Sequence, residues 1–352
     1  MKSFQTERWT VDNFEENLIK HPHVIQASLW IKQNEVVALP TETVYGLAGN
    51  AQSDHAIARI FEAKGRPSDN PLIVHISDRK QLKGLVSSIP LNAQKLMDAF
   101  WPGPLTIVLP KGKDVSEKVT AGLSTVAVRM PNHAIALAVI EASGVPLAAP
   151  SANLSGKPSP TTANHVYEDL KGKIPGIVDG GSTGVGVEST VVECTDETVT
   201  ILRPGGVTFE DLEHVVGTGN VMIDPGIQNE KLAPRSPGMK YTHYAPDAPF
   251  VLVDGSPDFL QQLVDKERAA GKKIGILTTD ERVDFYRADC VIPAGRRENP
   301  ETVAQHLYEA LRSFNEASVD QIFGEVFPKT GVGVAIMNRL EKSAGGNIIK
   351  EQ

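Results

Sequence analysis

Cysteine is nearly absent from this sequence: Cys194 and Cys290 are its only two. Two thiols build neither a disulfide framework nor a zinc site, which fits a reducing compartment. Long apolar runs are missing too. The longest, Ala134 to Ile140, has seven residues, against the roughly 20 that a bilayer-spanning helix needs. The N-terminal residues Met1-Lys2-Ser3-Phe4-Gln5-Thr6-Glu7 are polar and charged where a secretion signal would be apolar. A cytoplasmic protein with no membrane association is therefore expected. Positive charge is also short: 35 basic against 43 acidic side chains leave a net charge of −8, spread evenly along the chain. A dedicated duplex binder needs a basic surplus to displace counterions from phosphates. Whole-chain charge argues against such a surface and leaves room only for a local basic pocket.

Familiar chemical signatures are missing as well. The sequence has no P-loop, no paired-histidine zinc helix and no Cys-x-x-Cys pair. The glycine cluster Gly180-Gly181-Ser182-Thr183-Gly184-Val185-Gly186 lacks the dinucleotide spacing and precedes a strand rather than a helix. Any nucleotide site must then use an unconventional set of loops.

What is present has the composition of a globular protein, with 41% hydrophobic and 22% charged residues in 352. At about 100–200 residues per domain, that length suggests two domains, or one large one. Strand-like and helix-like runs alternate, which predicts an α/β fold. Strands are expected at 36–39, 71–76, 105–109 and 125–129. Ser53-Asp54 should cap a helix with Ile57, Ile60 and Phe61 on one face, and Gly144 should end a helix begun near His133. The runs 188–192 and 199–202 read as a hairpin, so the first sheet should be mixed and partly antiparallel. From Asp224 to Pro249 five prolines interrupt any regular pattern, as expected of a linker or functional loop. Beyond it, strands at 250–253, 273–277, 290–293 and 319–323 alternate with helices at 257–270, 301–316 and 333–342. This is the pattern of a small parallel sheet.

Five blocks could carry chemistry. Pro40-Thr41-Glu42-Thr43-Val44-Tyr45-Gly46 follows an apolar strand, where hydroxyls and a carboxylate can face a cleft; a polar turn around a packed tyrosine has the same composition. Lys64-Gly65-Arg66-Pro67, leading through Asn70 to His75, sets two cations around a glycine and could clamp a polyphosphate. A solvated helix end would look alike, and His75 alone is as consistent with a satisfied core histidine as with a ligand. Pro150-Ser151-Ala152-Asn153, running on to Ser159, can bring backbone N–H groups close to a phosphate, or be an ordinary Ser/Pro loop. Arg129 and Arg203 end strands and could supply positive field, though strand-end arginines are also common on surfaces. Finally, Arg235-Ser236-Pro237-Gly238-Met239-Lys240-Tyr241-Thr242-His243-Tyr244 carries cations and tyrosines without any acid, which suits a lid.

In this order, Pro-Thr-Glu-Thr-Val-Tyr-Gly-Leu, Lys-x-Arg-Pro with Asn-Pro-Leu-Ile-Val-His, Pro-Ser-Ala-Asn, Glu-Ser-Thr and Arg-Pro-Gly together resemble the YrdC-like domain. With the linker and the following α/β region, the chain resembles the long, two-domain form of the threonylcarbamoyl-AMP synthase family over roughly residues 20 to 345. The resemblance implies an α/β fold with a YrdC-like twisted mixed sheet around a deep basic cavity (1–220), a lid-forming linker (221–248) and a smaller Rossmann-like parallel domain (249–352). It implies synthesis of threonylcarbamoyl-adenylate and pyrophosphate from L-threonine, bicarbonate and ATP, with Mg²⁺ arriving on the ATP. A partner enzyme would then transfer the threonylcarbamoyl group to tRNA.

By the family's pattern, Lys64 and Arg66 are the catalytic cations. Lys64, Arg66, Asn70, Thr125, Ser151, Asn153, Ser159, Arg203, Ser236, Tyr241 and His243 would hold ATP; Thr41, His75, Arg129, Ala149 and Ser189 would hold threonine. A rival reading is a non-catalytic double-stranded-RNA-binding or ribosome-assembly module using the same cavity. Another is a hydrogenase-maturation carbamoyltransferase, whose zinc-finger regions two cysteines cannot build.

Overall fold

The computed structural model describes residues 3–227 and 243–352. It divides into two compact units. One holds Gly156–Ser159, Val185–Val187 and the described residues from 243 onward; the other holds the remaining described residues.

The first unit is built on β1 (Glu7–Thr10), β2 (Val37–Leu39), β3 (Gly46–Asn50), β4 (Ile73–His75), β5 (Leu105–Pro110) and β6 (Thr125–Arg129). It continues with β7 (Leu147–Ala148), β8 (Gly176–Asp179), β9 (Thr190–Cys194), β10 (Val199–Arg203) and β11 (Val221–Ile223). Its helices are α1 (Pro22–Lys32), α2 (Asp54–Lys64), α3 (Leu91–Phe100), α4 (Glu117–Thr120), α5 (Ala134–Ser143), α6 (Ala163–Leu170) and α7 (Phe209–Val216). The strands form one sheet in the order β1-β8-β2-β3-β7-β4-β6-β5-β9-β10-β11. Pairing is mixed: β4 runs parallel to β6 and β5 to β9, while β5–β6 and the expected hairpin β9–β10 are antiparallel.

The period of two explains how both faces are covered. Val36 and Ala38 enter one buried apolar cluster, and Val37 and Leu39 enter another. A strand buried on both sides reads as a near-continuous apolar run, as β5 does from Leu105 to Leu109 with only Thr106 polar. In α2 the Ser53 hydroxyl accepts the Ala56 N–H at 3.3 Å, and Ile57 and Ile60 are fully buried. Capping at one end and burial along one face set the length of α2, so its last residue, Lys64, is delivered to a fixed place. Gly144 ends α5 in the left-handed region, as its position in the sequence foretold.

The second unit contains β12 (Phe250–Asp254), α8 (Pro257–Ala269), β13 (Ile274–Thr278), β14 (Cys290–Pro293), α9 (Pro300–Ala317), β15 (Gln321–Glu325), α10 (Gly333–Ser343) and β16 (Ile348–Lys350). The five strands are all parallel, in the order β14-β13-β15-β12-β16. Buried Glu325 closes the end of β15. Its carboxylate accepts from Thr278 Oγ1 at 2.6 Å and Tyr286 OH at 2.9 Å, and pairs with Arg282 and Arg297. Satisfied in this way, the charge is tolerable inside. Among the described residues no helix is long and apolar enough to cross a membrane.

Candidate active site

The turn between β2 and β3 folds back on itself. Thr41 Oγ1 donates to the Val44 carbonyl at 2.6 Å and lies 2.9 Å from Thr43 Oγ1. Thr43 Oγ1 accepts from Arg129 Nη1 at 3.0 Å, and Arg129 Nε donates to the Gly103 carbonyl at 3.2 Å. Arg129 Nη2 is 2.6 Å from Glu42 Oε2, and the other Glu42 oxygen accepts the Asn132 N–H at 3.0 Å. Burial opposes the Glu42 charge, but Arg129 and that N–H outweigh it and hold the carboxyl below its ordinary pKa. Arg129 is thus a buried cation with a built-in counter-ion.

His75 pairs with Arg129 across β4–β6 and with Leu147 across β4–β7. Burial, reinforced by the Arg129 charge, pushes the imidazole down to about 3, so it is neutral. Its Nδ1 lies 3.3 Å from the Ile73 carbonyl; donation there makes Nε2 the acceptor. The Ala149 N–H is already donated to Ile73 at 3.0 Å, so the carbonyl is the backbone group Ala149 can still offer.

Lys64 is buried at the end of α2. Its ammonium donates to the Ser151 carbonyl, to the Asn153 carbonyl at 2.7 Å and to Asn153 Oδ1 at 3.3 Å. The Lys64 carbonyl in turn accepts the Ser155 N–H at 3.0 Å. Burial and the neighbouring Arg66 charge push its pKa well down, against the pull of Asp169 and Glu188. Arg66 is half-buried, and its Nη2 donates to the Pro71 carbonyl at 3.2 Å and the Asn70 carbonyl at 3.5 Å. The buried Arg203 guanidinium wraps Ser189, donating to its carbonyl at 2.9 Å and to its hydroxyl at 3.2 Å; Thr106 Oγ1 sits 2.8 Å from that hydroxyl.

The contacts place some of the expected residues in three sets: Lys64 with Ser151 and Asn153, Thr41 and His75 near Arg129, and Ser189 with Arg203. Thr125 stands at the opposite end of β6 from Arg129. Ser159 and His243 belong to the second unit. Ser236 and Tyr241 lie outside the described residues. Sequence analysis assigned no role to Thr43, Thr106, Glu188 or Asp169, and gave Glu42 only as a carboxylate that can face a cleft. Glu42 and Thr43 stood inside a block it had singled out, and an acid beside a strand-end arginine was the available signal. Thr106 gave none, since it reads as one more position in an apolar strand. Cys194 is no nucleophile: burial pushes its thiol up to about 12.

Two family profiles cover most of the chain. Residues 30–205 match the Sua5, YciO and YrdC family described as telomere recombination, and residues 207–345 match the threonylcarbamoyl-AMP synthase C-terminal domain. A threonylcarbamoyl-AMP synthase of Bacillus subtilis is 55% identical over 98% of this chain and 100% of its own length. The chain belongs to the threonylcarbamoyl-AMP synthase family, in its two-domain form. The Pyrococcus abyssi member is 48% identical over 92% of this chain and 94% of its own. A crystal structure of P. abyssi Sua5 complexed with L-threonine superposes with a TM-score of 0.91 at 46% identity, covering 99% of this chain and 100% of that one. The 11-stranded mixed sheet and the five-stranded parallel sheet thus belong to a fold shared with that structure.

Proposed function

We propose that this chain makes threonylcarbamoyl-adenylate for the threonylcarbamoyladenosine modification of tRNA. Threonine's amine attacks the carbon of bicarbonate, water leaves, and a carbamate forms. A carbamate oxygen then attacks the α-phosphorus of ATP and pyrophosphate departs. The carbamate is already an anion, so the displacement asks for alignment and charge neutralisation rather than a strong base. The side chains suit that demand. His75 and Glu42 have depressed pKa values and make poor bases, whereas Arg66, Arg129 and Arg203 supply fixed positive charge.

The observation that carries this reading is the Lys64 ammonium lodged under the Ser151–Asn153 loop with Arg66 beside it. We assign that loop, Arg66, Asn70, Thr125, Ser159 and Arg203 to ATP, within a deep basic cavity. Lys64 sets the shape of the loop by donating to its oxygens. Threonine's carboxylate goes to Arg129, and Thr41, His75 Nε2, Ser189 and the Ala149 carbonyl face its amine and hydroxyl. Glu42 keeps the guanidinium of Arg129 aimed. Ser236, Tyr241 and His243 form a lid that retains the labile adenylate; the linker expected at 221–248 starts later than that, because Val221–Ile223 is strand β11 of the large sheet. Mg²⁺ enters on the triphosphate as its counter-ion. Among the described residues no three carboxylate, histidine or cysteine side chains converge, so phosphate oxygens and water would supply most of its ligands. The product passes in the cytoplasm to a transferring enzyme that acts on tRNA.

Mass spectrometry of products from ATP, bicarbonate and equimolar threonine and serine tests the assignment. Threonylcarbamoyl-adenylate should dominate, with pyrophosphate in equal amount. A protein that leaves both amino acids untouched and instead binds duplex RNA with a steep salt slope would be a nucleic-acid module, not this enzyme.

A further inference from the structure

Two short segments far back in the chain belong to the second unit, and both lead directly into residues assigned to substrates. Gly156–Ser159 ends in Ser159, and Val185–Val187 is followed by Glu188 and Ser189. Within the second unit both lie against α9. Arg312 of α9 is 9% exposed, and its Nη2 donates to the Pro158 carbonyl at 2.6 Å. The peptide it holds joins Pro158 to Ser159, so the bond sets where the Ser159 N–H and side chain begin. Gly186 lies flush on the same helix: a Cβ there would come within 2.3 Å of the Gln305 Cα and 2.4 Å of the Ala304 carbonyl, at a φ of +80°. Only glycine fits.

We propose that α9 is a positioning element for both substrates, with Arg312 indexing the nucleotide loop through Pro158 and the Gly186 contact indexing the threonine loop through Val187. This deepens the adenylate-synthase reading and rests on it. It gives α9 a role in substrate binding without any contact of its own to a substrate. A buried, charge-assisted hydrogen bond to a carbonyl holds a loop far more firmly than exposed contacts do. Losing the bond leaves Ser159 covalently in place but free to sample other positions, which lowers ATP affinity before it lowers the rate of the bound complex.

The test uses the full chain and measures pyrophosphate release against ATP at saturating threonine, and against threonine at saturating ATP. Arg312→Ala should raise the KM for ATP about tenfold, with kcat and the KM for threonine changed less than about twofold. Arg312→Lys keeps one donor for Pro158 and should recover most of the loss; it also serves if the alanine variant folds poorly. Gly186→Ala should move the KM for threonine instead. If every variant shifts both KM values together, in step with its loss of melting temperature, α9 is only structural and the inference fails. An unchanged KM for ATP in Arg312→Ala would also overturn it. Wild-type protein with no threonine-dependent pyrophosphate release would instead sink the parent reading, and this one with it.

Discussion

Lys64 and Arg66 sit one residue apart, yet their surroundings ask different things of them. The Lys64 ammonium is spent on three protein oxygens, while Arg66 is half-buried and leans on two carbonyls. Arg66→Ala should therefore lower adenylate formation by about two to three orders of magnitude, the typical loss of one transition-state donor, with little change in melting temperature. Lys64→Ala should lose activity and also about 1–3 kcal/mol of stability, because it strands buried carbonyls. Equal melting temperatures for the two variants would contradict the distinction.

The histidines predict a pH response. Burial holds His75 at about 3 and His133, despite nearby Glu42, at about 4, both below the unfolded value of about 6.5. A group depressed in this way favours the fold while neutral. Its contribution is whole above about pH 6.5 and drains as pH falls toward the folded values, by about 1.4 kcal/mol per unit for each histidine. Urea unfolding at pH 7 and pH 5 should show a drop of about 4 kcal/mol, and His133→Asn, a residue suited to the N-cap position of α5 where the His133 side chain makes no capping bond, should roughly halve it. Stability that stays flat over that range would show the burial argument to be wrong.

At the scale of elements, the site depends on how firmly α2 is seated. Ile57 and Ile60 are fully buried under the sheet, and Lys64 rides on the end they anchor. Ile57→Ala should remove about 2–5 kcal/mol, and by loosening the last turn of α2 should also raise the KM for ATP. Calorimetry and steady-state kinetics on one preparation would check the pairing of effects; a stability loss with no change in KM would mean that the last turn is held by Lys64 itself. Elements with a strong local signature were legible in advance: the capped α2, the glycine-stopped α5, the apolar β5 and β6, and the alternating strands and helices after residue 249. Short ones were not. β7 has two residues and β16 exposes Ile348 and Ile349, so neither carries a periodic pattern long enough to see. They are strands because a neighbour pairs with them.

For the whole molecule, the placing of Gly156–Ser159 and Val185–Val187 with the second unit makes a specific demand. A chain ending at residue 220 keeps the large sheet except its edge strand β11, together with Lys64, Arg129 and Arg203, but loses the partners of both segments. Its ATP-dependent activity should fall at least tenfold while its far-ultraviolet spectrum still reports a folded α/β domain. The loss corresponds to one charge-assisted hydrogen bond and the packing at Gly186. Full activity in the truncated chain would deny the second unit any part in catalysis.

Local chemistry was written in the sequence. Helix caps, glycine stops, apolar periods and the ordered polar blocks each depend on residues within a few positions of one another, so they identified the α/β class, the family likeness and most of the candidate residues. Partnership was decided only by the tertiary structure. That Arg129 carries Glu42 as its counter-ion, that Lys64 grips the loop of Ser151 and Asn153, and that Arg312 reaches back to Pro158 depends on which strands lie side by side and which segments pack on α9. Burial then pushes the pKa values of His75 and Lys64 down, because desolvation is a property of the surroundings and not of the residue.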